Sequence, residues 1–181
     1  MHETEADVEW LQGVLDRSYR AAGVNLSDIH GQGRRLTAAD LCARLQGPRW
    51  LVVATVSSDH RPFSAQVDGT FYRGRFYFGV NDPRSLKARH LRSNQAISAT
   101  HVPNDDWVVT VHGRAERADV SLSSPGLHRV LVDTYADRYG PEWTDDALTA
   151  ESLYFRIEPE RMFALDLTEV REWGGRVSGD G

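Results

Sequence analysis

The segment from Trp50 to Leu167 limits the fold most tightly, because it is a succession of β-branched and aromatic runs separated by turns, with few helices between them. "WLVVATVS" is dense in β-branched residues and leads into the turn "SDHRP". "FSAQVDGTFY" passes through "RGR" into "FYFGV", which predicts a hairpin with Gly74 at its tip. "QAISATHV" reads as a strand and "PNDD" as a loop. "WVVTVHGRAERADV" reads as a long strand in which Val109, Val111 and Gly113 alternate with Thr110, His112 and Arg114. "SLYFRIEPERMFALDL" predicts two strands separated by Glu158 to Glu160. About six strands without regular βαβ alternation imply a mainly β (α+β) fold, an antiparallel barrel with peripheral helices. Closing the sheet removes edges that would otherwise invite aggregation.

Helical spacing appears at three other places. In "ADVEWLQGVLDRSYRAA", Val8, Leu11, Val14 (or Leu15) and Tyr19 mark an amphipathic first helix. "LTAADLCARLQG" is a short helix with Thr37 as N-cap, Asp40 at the capping-box position and Gly47 as the stop. "SPGLHRVLVDTYADRYG" places Leu127, Leu131 and Tyr135 on one face. The organisation expected is an N-terminal helical extension over residues 1–48, a barrel domain over 49–170 and a glycine-rich tail over 171–181. The first two helices are expected to pack across the barrel or reach over a partner subunit.

The net charge of −5 argues against a general nucleic-acid binder. No apolar run approaches the ~18 residues of a membrane span, and the acidic start "MHETEADVEW" is unlike a secretory signal, so a cytoplasmic location is expected. Cys42 is the only cysteine, and no HExxH or HxH pair occurs, so neither a disulfide nor a metal site is expected. No nucleophile elbow is present either.

Lys87 is the sole lysine; every other residue among the 21 basic ones is arginine. It lies in "VNDPRSLKARHLRSNQ", where a helix opens either with Asp82 as N-cap and Pro83 as first residue, or with Ser85 as cap after a turn. In both cases unpaired amides and a partial positive charge gather beside Arg84, Ser85, Lys87 and Arg89, the elements of a phosphate cradle.

The order of these segments resembles the pyridoxamine 5′-phosphate oxidase-like superfamily, the FMN-binding split barrels that include flavin and deazaflavin oxidoreductases. "LVVATVSSDHRPFSAQV" is similar to that family's first strand, turn and second strand, "GRFYFGVNDPRSLKARHLRSNQAISATHV" to its Ser-x-Lys helix and next strand, and "WVVTVHGRAERADV" to its long Gly-x-Ala strand. The resemblance implies a split barrel, a homodimer with cofactor at the subunit interface, and a hydride-transferring oxidoreductase acting on a small organic substrate. It implies that Ser85 and Lys87 hold the cofactor phosphate and that Ser64, Ala65, Gln66 and Val67 run beside the ring. FMN is the first cofactor implied and F420 the alternative. A non-catalytic flavin- or haem-binding barrel is the other reading.

The sequence departs from the family pattern at Leu86, where the oxidases proper carry Arg, at Ser64 to Val67, where they carry a charged strand segment, and in the tail, where "REWGG" replaces their Arg-x-His. These departures argue against pyridoxamine-phosphate oxidation itself. Arg84 or Arg89 would stand in for the missing phosphate charge, and Trp173 would either cover a ring face or anchor the last strand. His101 and His112, on strands expected to be neighbours, would approach each other or the ring. No residue stands out as an obligatory catalytic acid or base.

Overall fold

In the computed structural model, residues 2–23, 34–104, 106–140, 142, 148 and 153–168 are described. Four helices, α1 (Glu5–Arg20), α2 (Ala38–Arg44), α3 (Leu86–Ser93) and α4 (Pro125–Tyr139), accompany six strands. The strands are β1 (Arg49–Val56), β2 (Pro62–Tyr72), β3 (Arg75–Val80), β4 (Ala96–His101), β5 (Trp107–Arg117) and β6 (Leu153–Asp166). They close into a barrel in the order β1-β2-β3-β6-β5-β4, and every pairing is antiparallel.

The alternation read in the sequence sets the faces. Leu51, Val53, Val67, Ile97, Ala99, Val109 and Val111 point into a core completed by Phe71, Phe76, Phe78 and Phe155. The β2–β3 hairpin turns on Arg73 and Gly74, both with positive φ (48° and 77°), the geometry of a tight primed turn. His60 also takes a positive φ of 62°, so the β1–β2 turn keeps a glycine-like conformation with a histidine in place.

β6 is one strand of 14 residues, which corrects the expectation of two. Gly113 lies opposite Pro159 and His112 opposite Arg161, so Glu160 is the extra residue of a bulge that bends the strand without ending it. Pro159 is tolerated at this irregularity because a missing N–H costs little there. A side chain at Gly113 would overlap the carbonyl of Glu158, which explains a glycine in a long strand.

The barrel is split because β3 is short. It pairs with β2 only over Gly69–Tyr72 and with β6 only over Leu153–Arg156. Beyond those stretches β2 and β6 diverge, and each has an edge that β3 does not cover. The β6 edge is sealed by α1. Tyr19 Oη donates to the Ala164 carbonyl at 2.8 Å and accepts from the Ala164 N–H at 3.1 Å, while Ser18 Oγ accepts from the Met162 N–H at 2.8 Å. The Leu36 N–H adds a bond of 3.0 Å to Ala164 O. Two hydroxyls at the end of an amphipathic helix thus stand in for a strand. Leu11, Val14 and Leu15 of α1 are fully buried in the barrel core, so this helix packs on its own chain.

Both N-terminal helices open with capping boxes, Thr4 with Asp7 and, as expected, Thr37 with Asp40. α4 lies over the outer side of β3 and β6, where Leu127, Leu131 and Tyr135 pack with Tyr77 and Tyr154. No helix among the described residues is long and apolar enough to cross a membrane.

Candidate cofactor site

Ser85 is the cap of α3. Its hydroxyl accepts from the Ala88 N–H at 3.3 Å, and the Ser85 N–H closes a turn on Asp82 O at 2.9 Å. Asp82 instead anchors the turn by accepting from the Arg84 N–H at 2.8 Å and from Arg84 Nε at 3.2 Å. The Arg84 guanidinium is therefore already paired, and its side chain is 91% exposed. Arg92 ties the same turn by donating to Pro83 O at 2.8 Å.

Lys87 behaves differently. It is half-buried on the first turn of α3, and burial alone holds its ammonium below the ordinary lysine range. Among the described residues it forms no hydrogen bond or ion pair. A charge removed from water without a partner is unfavourable, and an anion at this place would reverse that. The Ser85 hydroxyl, still free to donate, and the first amides of α3 lie within the same turn. Arg89 is exposed and points to no acid among the described residues.

α3 is held against the barrel by His90, one turn beyond Lys87 on the same helix face. His90 Nδ1 lies 3.0 Å from Thr55 Oγ1, and its ring packs on Phe63 at 5.0 Å between centroids. Lys87 is thereby set at the end of the barrel where β2 begins. There β2 pairs with β1 alone: Ser64, Ala65, Gln66 and Val67 are matched with Ala54, Val53, Val52 and Leu51, and their other edge has no strand partner among the described residues. Ser64, Ala65 and Gln66 are exposed. The Val67 side chain is in the core, so it has only backbone groups to offer.

The outward face of this half of the sheet is open at one side and half-buried at the other. Gln66, Val52, Thr100, Thr110 and Phe163 form one row across five strands. On it Trp50 and Val52 are 56% and 48% exposed, while Thr100, Thr110 and Phe163 are half-buried. Arg138 of α4 stacks on the Trp50 ring at 4.3 Å and pairs with Asp68, which Tyr139 also contacts.

The two strand histidines do not meet. His101 is buried, with Nδ1 2.8 Å from Trp50 O, whereas His112 faces outward with Nδ1 2.7 Å from Ser98 Oγ. Pairing of His101 with Val109 and of His112 with Ser98 separates them along the ladder as well as by face. Burial lowers the His101 pKa and keeps that ring neutral. Cys42 is buried, and its thiol is pushed up to about 12, which makes it inert. No group of three or more metal-ligating side chains occurs among the described residues. Trp173 lies outside them.

Sequence reasoning missed Thr55, Phe63 and His90. The i, i+3 spacing of Lys87 and His90 was the available signal, and it does not distinguish a supporting histidine from a solvated one.

No family model and no curated protein matches the chain. Solved structures do. The conserved hypothetical protein Rv2991 of Mycobacterium tuberculosis superposes with a TM-score of 0.65 at 20% identity, over 78% of this chain and 92% of that one. An FAD-binding protein of Mesorhizobium loti gives 0.53 at 20%, over 74% and 96%. The fold is the split barrel. An F420 reductase gives 0.50 at 20% identity, over 66% of this chain and 93% of its own. These likenesses establish the architecture that the sequence resemblance implied.

Proposed function

We propose that this split barrel is a flavin- or deazaflavin-dependent oxidoreductase that moves a hydride between FMN, or alternatively F420, and a small organic substrate. The observation that carries the reading is the half-buried Lys87 ammonium at the mouth of α3, without a partner among the described residues. It stands at the same barrel end as a strand with one free backbone edge. The residues present suit such a cofactor: Ser85, Lys87 and the first α3 amides would hold its phosphate, and Ser64 to Val67 would lie along its ring. Phe63 and His90 would wall the space between the two. When bound, the flavin-type ring supplies the hydride chemistry, and the chain supplies position and electrostatics.

The reading includes a homodimer. Trp50, Val52 and Gln66 form an exposed surface beside the free β2 edge, and a second copy covering it would close the groove and shelter it from water. The names of the two solved structures, an FAD-binding protein and an F420 reductase, support a cofactor of this class.

A titration of the purified protein with FMN, F420 and haem, followed by absorbance and fluorescence, tests the reading. Binding of FMN or F420, weakened about tenfold or more in Lys87→Ala, is the expected result. Unchanged affinity in that variant removes Lys87 from the site. A Soret band with no flavin or F420 binding replaces this reading with a haem-binding barrel.

A further inference from the structure

A cavity lies at the end of β3 away from Lys87, between the β2–β3 hairpin, the end of β5 and the start of α4. Its volume is about 760 Å³. β3 has six residues, which places the hairpin tip about 20 Å from the Val80 end that leads to α3. This cavity is therefore separate from the Lys87 site.

Its wall is rich in donors lacking acceptors. Arg73 at the hairpin tip and Arg117 at the end of β5 are exposed and have no acidic partner among the described residues. Arg73 only stacks on the Tyr72 ring, at 5.3 Å. α4 opens into the same space with no side-chain cap: Ser124 makes no capping bond, and Pro125 follows it. The amides of Gly126 and Leu127 thus remain as donors at a positive helix end. The Tyr72 hydroxyl packs directly against Gly126, where a side chain would exclude it.

An independent observation comes from Tyr77. Its side chain lines the cavity and is 7% exposed as a whole, and its hydroxyl, which is not among the buried polar atoms lacking a partner, makes no hydrogen bond within the described residues. Burial pushes its pKa up, so at neutral pH it is a proton donor.

The carboxylates nearby are already engaged. Glu158 accepts from Arg75 at 2.7 and 2.9 Å, and Glu116 from Arg156 at 2.7 and 3.2 Å. Asp7 serves the α1 cap, and Asp119 is held by Ser121 and Ser123. The donors left over are two guanidiniums, a phenol and two helix amides, contributed by the hairpin tip, β5, β3 and α4. That arrangement suits a tetrahedral anion with several oxygens better than a planar carboxylate. The volume exceeds a bare ion, and the Tyr72 ring offers a surface for an organic body.

We propose that this cavity is a second ligand site, which takes the phosphate group of a small organic molecule between Arg73, Arg117, the Tyr77 hydroxyl and the first amides of α4. It stands apart from the cofactor reading and survives if that reading fails.

The test is calorimetric titration of inorganic pyrophosphate into Lys87→Ala, a background that weakens the other candidate anion site. Saturable binding is expected, weakened about tenfold or more when Arg117→Gln is added. Tyr77→Phe keeps the ring packing and should also weaken binding. Thermal melts establish that each variant is folded. Absence of binding to Lys87→Ala overturns the proposal, as does an affinity within about twofold in both added variants.

Discussion

Replacing Lys87 by Met separates a ligand-holding lysine from a merely tolerated one, because the two roles predict opposite changes. In the free protein the ammonium is half-buried with no partner among the described residues, so a side chain of similar length without charge removes a desolvation cost. The gain expected is about 0.5–2 kcal/mol, the usual range for relieving a locally unfavourable site. In the complex the same change deletes a charge-assisted bond worth about 1.5–3 kcal/mol, which weakens FMN or F420 binding roughly 10- to 150-fold.

The pH dependence has a defined sign. The folded-state pKa of Lys87 lies below the ordinary value of 10.5. Between those two values the unfolded chain binds more protons at this site, so wild-type stability rises with pH across that window. The Met variant has no such dependence, and its advantage is full at neutral pH and shrinks as pH climbs towards 10.5. Urea unfolding at several pH values, paired with a fluorescence titration of cofactor, reads both effects. A cofactor-free variant less stable than wild type by more than about 1 kcal/mol, with unchanged cofactor affinity, would show that Lys87 is structural.

Three further outcomes follow from the architecture. Tyr19→Phe removes two bonds to Ala164 and leaves its N–H bare while Leu36 still serves the carbonyl, so a loss of about 2–3 kcal/mol in urea unfolding is expected; less than about 0.5 would mean that α1 does not cap the strand. Gly113→Ala drives a methyl into the Glu158 carbonyl and should cost more than about 3 kcal/mol or abolish soluble expression, whereas a near-normal melting curve would contradict the bulge. Val52→Arg, at the exposed side of the outer row, should shift the protein to monomers in light scattering and weaken cofactor binding; a dimer that survives unchanged would place the interface elsewhere.

Much of the barrel was legible because its signals are local. Inward alternation along β1, β4 and β5, the Gly74 turn and the Thr37–Asp40 capping box each depend on residues a few positions apart. β6 was misread as two strands because Glu158, Pro159 and Glu160 look like a turn. Only the facing Gly113, far away in sequence, shows that they form a bulge. Ser18 and Tyr19 gave no sign of their role, since hydroxyl groups on an amphipathic helix ordinarily serve solvent or their own backbone. At the candidate site, Ser85 and Lys87 stood out by chemistry and spacing. Thr55 and Phe63 did not, because their value lies in touching His90 across the fold.

The unequal treatment of the two lips of the split has a practical consequence. One lip is permanently stitched by helix hydroxyls, so its amides should resist deuterium uptake whether or not anything is bound. The other, along Ser64 to Val67, has no strand partner among the described residues, so a cofactor or second copy bound there, as proposed, should slow exchange along it. Exchange rates along that short stretch would report occupancy directly, without a coloured ligand or a known substrate.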